Sequence, residues 1–244
     1  MKTSKGSWLA TKTKSDKRHC LMLVKIDPEK IDENLLSAAA KVACAGDMII
    51  FPTDTIYGIG TSAHSQAGVM RLFAIKRRPL TQPVGVFVDS FEMLKRYSEI
   101  DDKTRDFLTK IWPGPVTCLL KKSSRETIYS TPTKTQIPTI GVRIPKNVVT
   151  RKLVSLMGEA LLETSVNIST QPFLTWQNLA DTYERFAQIM VSSGKEADNS
   201  PSTIIDLSEE KAKLVREGSF GWTQIKELLK QSGLDFDESK TLPA

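Results

Sequence analysis

Histidine and cysteine are scarce in this chain, and their scarcity removes whole classes of chemistry. The two histidines, His19 and His64, lie far apart, one in a basic N-terminal stretch and one in a loop before a helix. No histidine-based nucleophile triad and no zinc site can be built from them. The three cysteines, Cys20, Cys44 and Cys118, are odd in number, widely spaced and without paired ligand spacing. That excludes a disulfide framework and points to a reducing, cytoplasmic setting. No apolar run approaches the roughly 18 residues of a membrane span, so no membrane association is expected. Also missing are the phosphate loop G-x-x-x-x-G-K-[ST], the dinucleotide fingerprint G-x-G-x-x-G and the metalloprotease pattern H-E-x-x-H. No internal repeat, low-complexity tract or composition break marks a second domain.

What is present is enough for a full core: 244 residues, 40% of them hydrophobic. The formal charge of +6 is unevenly spread. Residues 1–20 carry Lys2, Lys5, Lys12, Lys14, Lys17 and Arg18 against Asp16 alone, so the body is nearly neutral. Such an arm suits a disordered tail, weak electrostatic contact with tRNA or other RNA, or a targeting segment.

The stretch Met48-Ile49-Ile50-Phe51 is a buried strand by pattern, ended by Pro52. Before it, Ile31, Leu35, Leu36, Ala39, Val42 and Ala43 recur at helical spacing, with Asp27-Pro28 as the expected start and Gly46 as the stop. After it comes a hydroxyl-rich loop, Pro52 to Gly58, and an amphipathic segment over 69–75 that delivers Lys76-Arg77-Arg78-Pro79 to a helix C-terminus. Residues 83–88 predict another strand, Ser90 and Asp101 begin helices, and Trp112-Pro113-Gly114-Pro115 makes a rigid corner before a strand over 116–120.

The polar segment 123–138 predicts a mobile loop, expected to act as a lid over the site. In 139–145, strand alternation puts Ile140, Val142 and Ile144 on one face and Gly141 with Arg143 on the other. A helix to Met157 ending at Gly158, a second polar strand end at 163–167, a helix from Thr175, strands at 189–191, 201–207 and 213–218, and a helix from Trp222 complete the reading.

The set Thr53, Thr55, Lys76, Arg78, Thr117, Arg143, Ser165, Asn167, Ser202 and Arg216 places cations and hydroxyls at strand ends. Donors of this kind bind anions and stabilise charge developing on phosphate or carboxylate oxygens. Singly, each is an ordinary surface or structural residue; their joint occurrence is the signal.

The wording around them is specific. Pro52-Thr53-Asp54-Thr55-Ile56-Tyr57-Gly58, Lys76-Arg77-Arg78-Pro79, Trp112-Pro113-Gly114-Pro115-Val116-Thr117, Gly141-Val142-Arg143-Ile144-Pro145, Ser165-Val166-Asn167, Ser202 to Asp206 and Arg216-Glu217-Gly218 resemble, in order, the YrdC-like family of threonylcarbamoyl-AMP synthases. The resemblance spans about residues 29–220. It implies an α/β fold, a single YrdC-like domain with a twisted mixed parallel and antiparallel sheet, flanking helices and a basic concave cleft.

It further implies that L-threonine, bicarbonate and ATP, with Mg2+ accompanying the nucleotide, give threonylcarbamoyl-AMP and pyrophosphate, for later use by a tRNA threonylcarbamoyltransferase. Lys76 and Arg78 would be catalytic and bind phosphates and the carboxylate. Thr53, Thr55, Tyr57 and Thr117 would surround threonine and bicarbonate, while Arg143, Ser165, Asn167, Ser202 and Arg216 would hold the nucleotide; no residue is expected to ligate a metal. The implied layout is a basic flexible arm at 1–24, the catalytic domain at 25–232 and a frayed tail at 233–244. Val166, Thr170 and Gln82 depart from the family pattern. A non-catalytic RNA-binding module of the same fold, favoured by the arm, is the competing expectation; carbamoyl transfer in hydrogenase maturation belongs to much longer chains.

Overall fold

The computed structural model describes residues 21–132, 137–166, 176–194 and 200–238. The arm at 1–20, Asn167 and Thr170 lie outside the described residues. Strand β1 (Met22–Lys25) opens the chain and pairs in parallel with β8 (Ile189–Ser192), so residues expected in the arm belong to the sheet.

Helix α1 (Glu33–Cys44) begins at Asp32 and not at Asp27. The Asp32 carboxylate accepts from the Asn34 and Leu35 backbone N–H groups, whereas Asp27 caps a short turn by accepting from Glu29 N at 2.9 Å. Leu36, Ala39, Ala40 and Ala43 form the buried face of α1. Gly46, at φ +85°, then turns the chain into β2 (Ile49–Phe51).

β3 (Gly58–Ser62) follows, antiparallel to β2. Its sequence, Gly-Ile-Gly-Thr-Ser, carries neither clean alternation nor a β-branched run, and no strand is expected there; it forms because all five residues are buried between β2 and β7. Gly60 is required by packing: a Cβ there would lie 2.2 Å from the Leu162 carbonyl oxygen, an atom of the backbone. Gly60→Ala is expected to cost about 2 kcal/mol and lower Tm by about 6 °C, read by thermal unfolding.

Helix α2 (Gln66–Lys76) is capped by Ser65, starts three residues before the expected segment and ends in Arg77, a left-handed residue at φ 48°. Then come β4 (Gly85–Phe87), α3 (Phe91–Tyr97) and α4 (Asp102–Ile111), the helices capped by Ser90 and Asp101 as the sequence predicts. β5 (Val116–Lys121), β6 (Thr139–Arg143), α5 (Val148–Met157), β7 (Leu161–Ser165), α6 (Trp176–Tyr183), β9 (Thr203–Asp206), β10 (Lys213–Arg216) and α7 (Trp222–Gln231) complete the described elements.

All ten strands form one sheet in the order β1-β8-β2-β3-β7-β4-β6-β5-β9-β10. Parallel pairs (β1/β8, β2/β8, β4/β6, β5/β9) mix with antiparallel ones, the mixed sheet the family resemblance implies.

The segment expected to be a mobile lid is anchored over its described N-terminal part. Ile128 is 3% exposed, Tyr129 N donates to Ala63 O at 2.8 Å, and Ser130 O accepts from Val84 N at 2.8 Å. Glu126 also takes a two-pronged ion pair from Arg96 and sits 3.7 Å from His64, whose ring reaches the Tyr97 hydroxyl. One apolar residue, Ile128, buried in a polar stretch is what periodicity could not register. The tail is likewise docked as far as Asp237: Asp237 N donates to Ala212 O, and the Phe236 ring meets Trp222 edge-on at 6.1 Å.

Candidate active site

Strand alternation on five adjacent strands builds the floor of one cavity of about 350 Å3. Glu163 and Ser165 on β7, Gly85 on β4, Gly141 and Arg143 on β6, Thr117 and Leu119 on β5 and Ile204 on β9 all face it. Gly85 stands opposite Glu163 in the ladder, and Gly141 lies against Gly85, its ideal Cβ only 3.5 Å from the Gly85 Cα. At the level of Gly85 and Gly141 two neighbouring strands therefore project no side chain, and the bare backbone leaves the room.

Four cations edge the cavity. Lys76, the last residue of α2, donates from Nζ to Ser165 O at 2.8 Å. Arg78 is braced by the turn that follows it, donating to Gln82 O and Pro83 O at 2.9 and 2.8 Å. Arg216 reaches from β10 to Ser202 O at 2.8 Å, and Ser202 in turn faces the Thr117 hydroxyl at 3.1 Å. Burial, then the nearby Arg78 charge, lowers the Lys76 pKa to about 8. Burial lowers Arg78 and Arg216 from the usual guanidinium value as well. Cations held in a desolvated cavity near one another gain by meeting an anion.

The fourth, Arg143, is 3% exposed and already committed. Its Nη2 lies 2.6 Å from Asp54 Oδ1, Nη1 donates to Thr55 Oγ1 at 3.1 Å, Nε donates to Gly114 O at 2.9 Å, and the guanidinium sits over the Phe87 ring. Arg143 thus ties the loop after β2 and the Trp112–Pro115 corner to β6. Thr53 lies outside the cavity wall: its hydroxyl donates to Ile56 O at 2.7 Å and accepts from Thr55 N, fixing the turn that presents Thr55. Tyr57 is also off the wall, 4% exposed, with its hydroxyl 3.5 Å from Ser192 Oγ. The loop is held from behind by a hydrogen bond from the Thr150 hydroxyl on α5 to Pro52 O.

Of the residues singled out in the sequence, the structure brings Thr55, Lys76, Arg78, Thr117, Arg143, Ser165, Ser202 and Arg216 to the cavity; Asn167 is outside the described residues. Sequence reasoning missed two acids. Asp54 is the partly buried partner of Arg143. Glu163 lines the cavity, and its pKa is raised to about 7 by burial, against the opposing pull of Arg143, Arg216 and Arg78. Counting two residues back from Ser165 along a strand would have placed Glu163 on the same face.

A family model named for Sua5, YciO and YrdC, and described as telomere recombination, matches residues 41–218. A Pyrococcus abyssi protein named threonylcarbamoyl-AMP synthase is 30% identical over 203 residues, which is 82% of this chain and 59% of that protein. The chain thus spans under two thirds of that relative's length. A Vibrio cholerae protein of the same name is 30% identical over 180 residues, 71% of this chain and 93% of its own. Among solved structures, P. abyssi Sua5 complexed with L-threonine superposes with a TM-score of 0.78 at 28% identity, over 88% of this chain and 62% of that one. Escherichia coli YciO shares the fold, with a TM-score of 0.74 at 23% identity over 82% of this chain and 97% of that one. The family match over most of the chain and the agreement of its ordered motifs with one cationic cavity lead to the same place: this chain belongs to the Sua5/YciO/YrdC family.

Proposed function

We propose that the chain is an L-threonylcarbamoyladenylate synthase, joining L-threonine, bicarbonate and ATP into threonylcarbamoyl-AMP and pyrophosphate for threonylcarbamoyladenosine modification of tRNA next to the anticodon. The observation that carries this reading is the convergence of Lys76, Arg78, Arg143 and Arg216 with the hydroxyls of Thr55, Thr117, Ser165 and Ser202 on one glycine-floored cavity. A nucleotide triphosphate, a carboxylate and a carbamate are all anions, and such a wall suits all three.

In this reading the threonine nitrogen and bicarbonate form a carbamate, whose oxygen attacks the α-phosphorus of ATP as pyrophosphate leaves. Lys76 and Arg78 neutralise phosphate and carboxylate charge, an electrostatic contribution made strong by the partly desolvated wall. Thr55 and Thr117 face threonine and bicarbonate, with Thr53 and Tyr57 supporting the loop behind them. Ser165, Ser202, Arg216 and Asn167 hold the nucleotide, and Arg143 fixes the floor. Mg2+ would accompany ATP and offset phosphate charge; among the described residues no group of three or more His, Cys, Asp or Glu is placed to hold an ion. Threonylcarbamoyl-AMP is a mixed anhydride that hydrolyses readily, so in this reading it passes to a tRNA threonylcarbamoyltransferase.

Pyrophosphate release should require both threonine and bicarbonate, tested by omitting each in turn; release independent of threonine would point to another amine. A pH profile adds a second test. The Lys76 ammonium, with a pKa near 8 in the free protein, is charged below that value and neutral above it. Accordingly kcat/KM for ATP should fall as pH rises through about 8, and Lys76→Arg should move that limb to higher pH. A profile flat to pH 10 would remove Lys76 from nucleotide binding.

A further inference from the structure

Glu163 is the anomaly of the cavity. A site edged by four cations gains affinity for phosphate and carboxylate groups, and a carboxylate on its floor opposes that gain. The ordinary explanation would be an ion pair that fixes an arginine. Each candidate is already partnered: Arg143 by Asp54, Arg216 by Ser202 O, Arg78 by Gln82 O and Pro83 O, and Lys76 by Ser165 O. The Glu163 carboxylate itself has no side-chain hydrogen bond or ion pair among the described residues.

Its neighbours leave it standing clear. In the sheet Glu163 is opposite Gly60 on one side and Gly85 on the other, with Gly141 beyond Gly85. Gly60 is covered by Phe51, whose ring lies 3.2 Å from where a Cβ would be, while Gly85 and Gly141 open into the cavity. An acid on this floor faces a space the size of a small molecule; Arg143, Arg216 and Arg78 attract it through the cavity, but among the described residues none of them is hydrogen-bonded or ion-paired to it.

Resting on the function proposed above, we infer that Glu163 receives the ammonium group of the amino-acid substrate and takes a proton from it. Among L-threonine, bicarbonate and ATP, the α-ammonium is the one cationic group. In the step, an ammonium N–H bond breaks and its proton passes to a Glu163 carboxylate oxygen, leaving the electron pair on nitrogen. That pair forms the N–C bond at the bicarbonate carbon. The C–O bond to the bicarbonate hydroxyl then breaks, and the hydroxyl leaves as water with the proton held by Glu163. The adduct nitrogen releases its remaining extra proton to solvent, giving the carbamate and returning Glu163 ionised.

The groups facing Glu163 fit this use. Arg143, Arg216 and Arg78 hold its acidity up and Asp54 works against them, while burial is the largest influence; the resulting pKa of about 7 suits a group that both accepts and returns a proton near neutrality. Lys76 lines the same cavity from α2.

The test compares wild type with Glu163→Gln and Glu163→Asp. Calorimetry measures binding of L-threonine and of 3-hydroxybutyrate, which lacks the amine, and turnover is read as threonine-dependent pyrophosphate release. Wild type should prefer threonine strongly. In Glu163→Gln that preference should collapse to about threefold or less, kcat/KM for threonine should drop about 10²-fold, and its acid limb near pH 7 should disappear. ATP affinity should hold or tighten. Glu163→Asp, which keeps the charge one methylene further back, should recover part of the preference and also serves if the glutamine variant does not fold. Wild-type discrimination retained in folded Glu163→Gln would overturn the inference and leave the synthase reading standing. Weaker ATP binding with unchanged threonine preference would also overturn it, making Glu163 a brace for the arginines. Wild type that neither binds nor consumes threonine would overturn the synthase reading itself, and this inference with it.

Discussion

Alanine at Lys76 or at Arg78 is expected to lower turnover by about 10²-fold or more while the protein stays folded. Both cations are displayed at the end of α2, past the helix body that packs through Val69, Leu72 and Phe73, so their removal leaves the core intact. Lys76 is held partly desolvated below its ordinary pKa, which makes its charge a cost to the folded state and a gain to the liganded one. That cost is fully present below about pH 8 and fades as pH rises toward 10.5, where the unfolded lysine also loses its proton. Lys76→Ala should therefore melt at or slightly above wild type at pH 7. Arg78→Ala loses two hydrogen bonds to a surface turn and should melt within about 3 °C of wild type. Thermal unfolding together with pyrophosphate release separates the two effects. A variant that unfolds, or one with near-normal turnover, would assign the residue to the scaffold.

Asp54→Ala is expected to destabilise by about 3–5 kcal/mol and to lower Tm by roughly 10 °C or more. Its partner Arg143 is 3% exposed, and loss of the carboxylate strands a guanidinium between β6, the Thr53–Tyr57 loop and the Gly114 carbonyl. Asp54→Asn keeps an acceptor and should be milder. The double variant Asp54→Ala/Arg143→Met removes both charges and should recover much of the loss in Tm without restoring activity, since Arg143 also orders Thr55. Equal melting of wild type and Asp54→Ala would show that the pair carries no structural weight.

Much of this arrangement is legible in the sequence wherever local pattern and tertiary demand agree. Ser90, Asp101 and Gly158 punctuate helices where their chemistry says they should, and the alternation from Ile140 to Ile144 correctly puts Gly141 and Arg143 on the cavity face. Failures fall where a contact distant in sequence overrides the local signal. β3 is a strand because β2 and β7 flank it, although its glycines argue against one. The described part of the 123–138 segment is pinned by Ile128 and by backbone hydrogen bonds to Ala63 and Val84, partners a polar, aperiodic stretch does not advertise.

The site shows the same division. Cations and hydroxyls announce themselves by type, so Lys76, Arg78 and Arg216 are found early. Thr53 has the right chemistry and sits one layer back, because its hydroxyl is consumed by the turn it stabilises. Glu163 and Asp54 are hidden for the opposite reason: a search for anion-binding groups passes over acids, and only the assembled cavity shows one bracing an arginine and the other standing unpaired among cations.

The most direct test of the central claim is the identity of the nucleotide product. The protein is incubated with ATP, Mg2+, L-threonine and 13C-bicarbonate, and the product is resolved by mass spectrometry before it hydrolyses. The account predicts a threonylcarbamoyl-AMP ion that carries the 13C label and disappears when threonine is withheld. Release of ADP or AMP without a labelled adduct, or tight RNA binding with no ATP consumption, would contradict it.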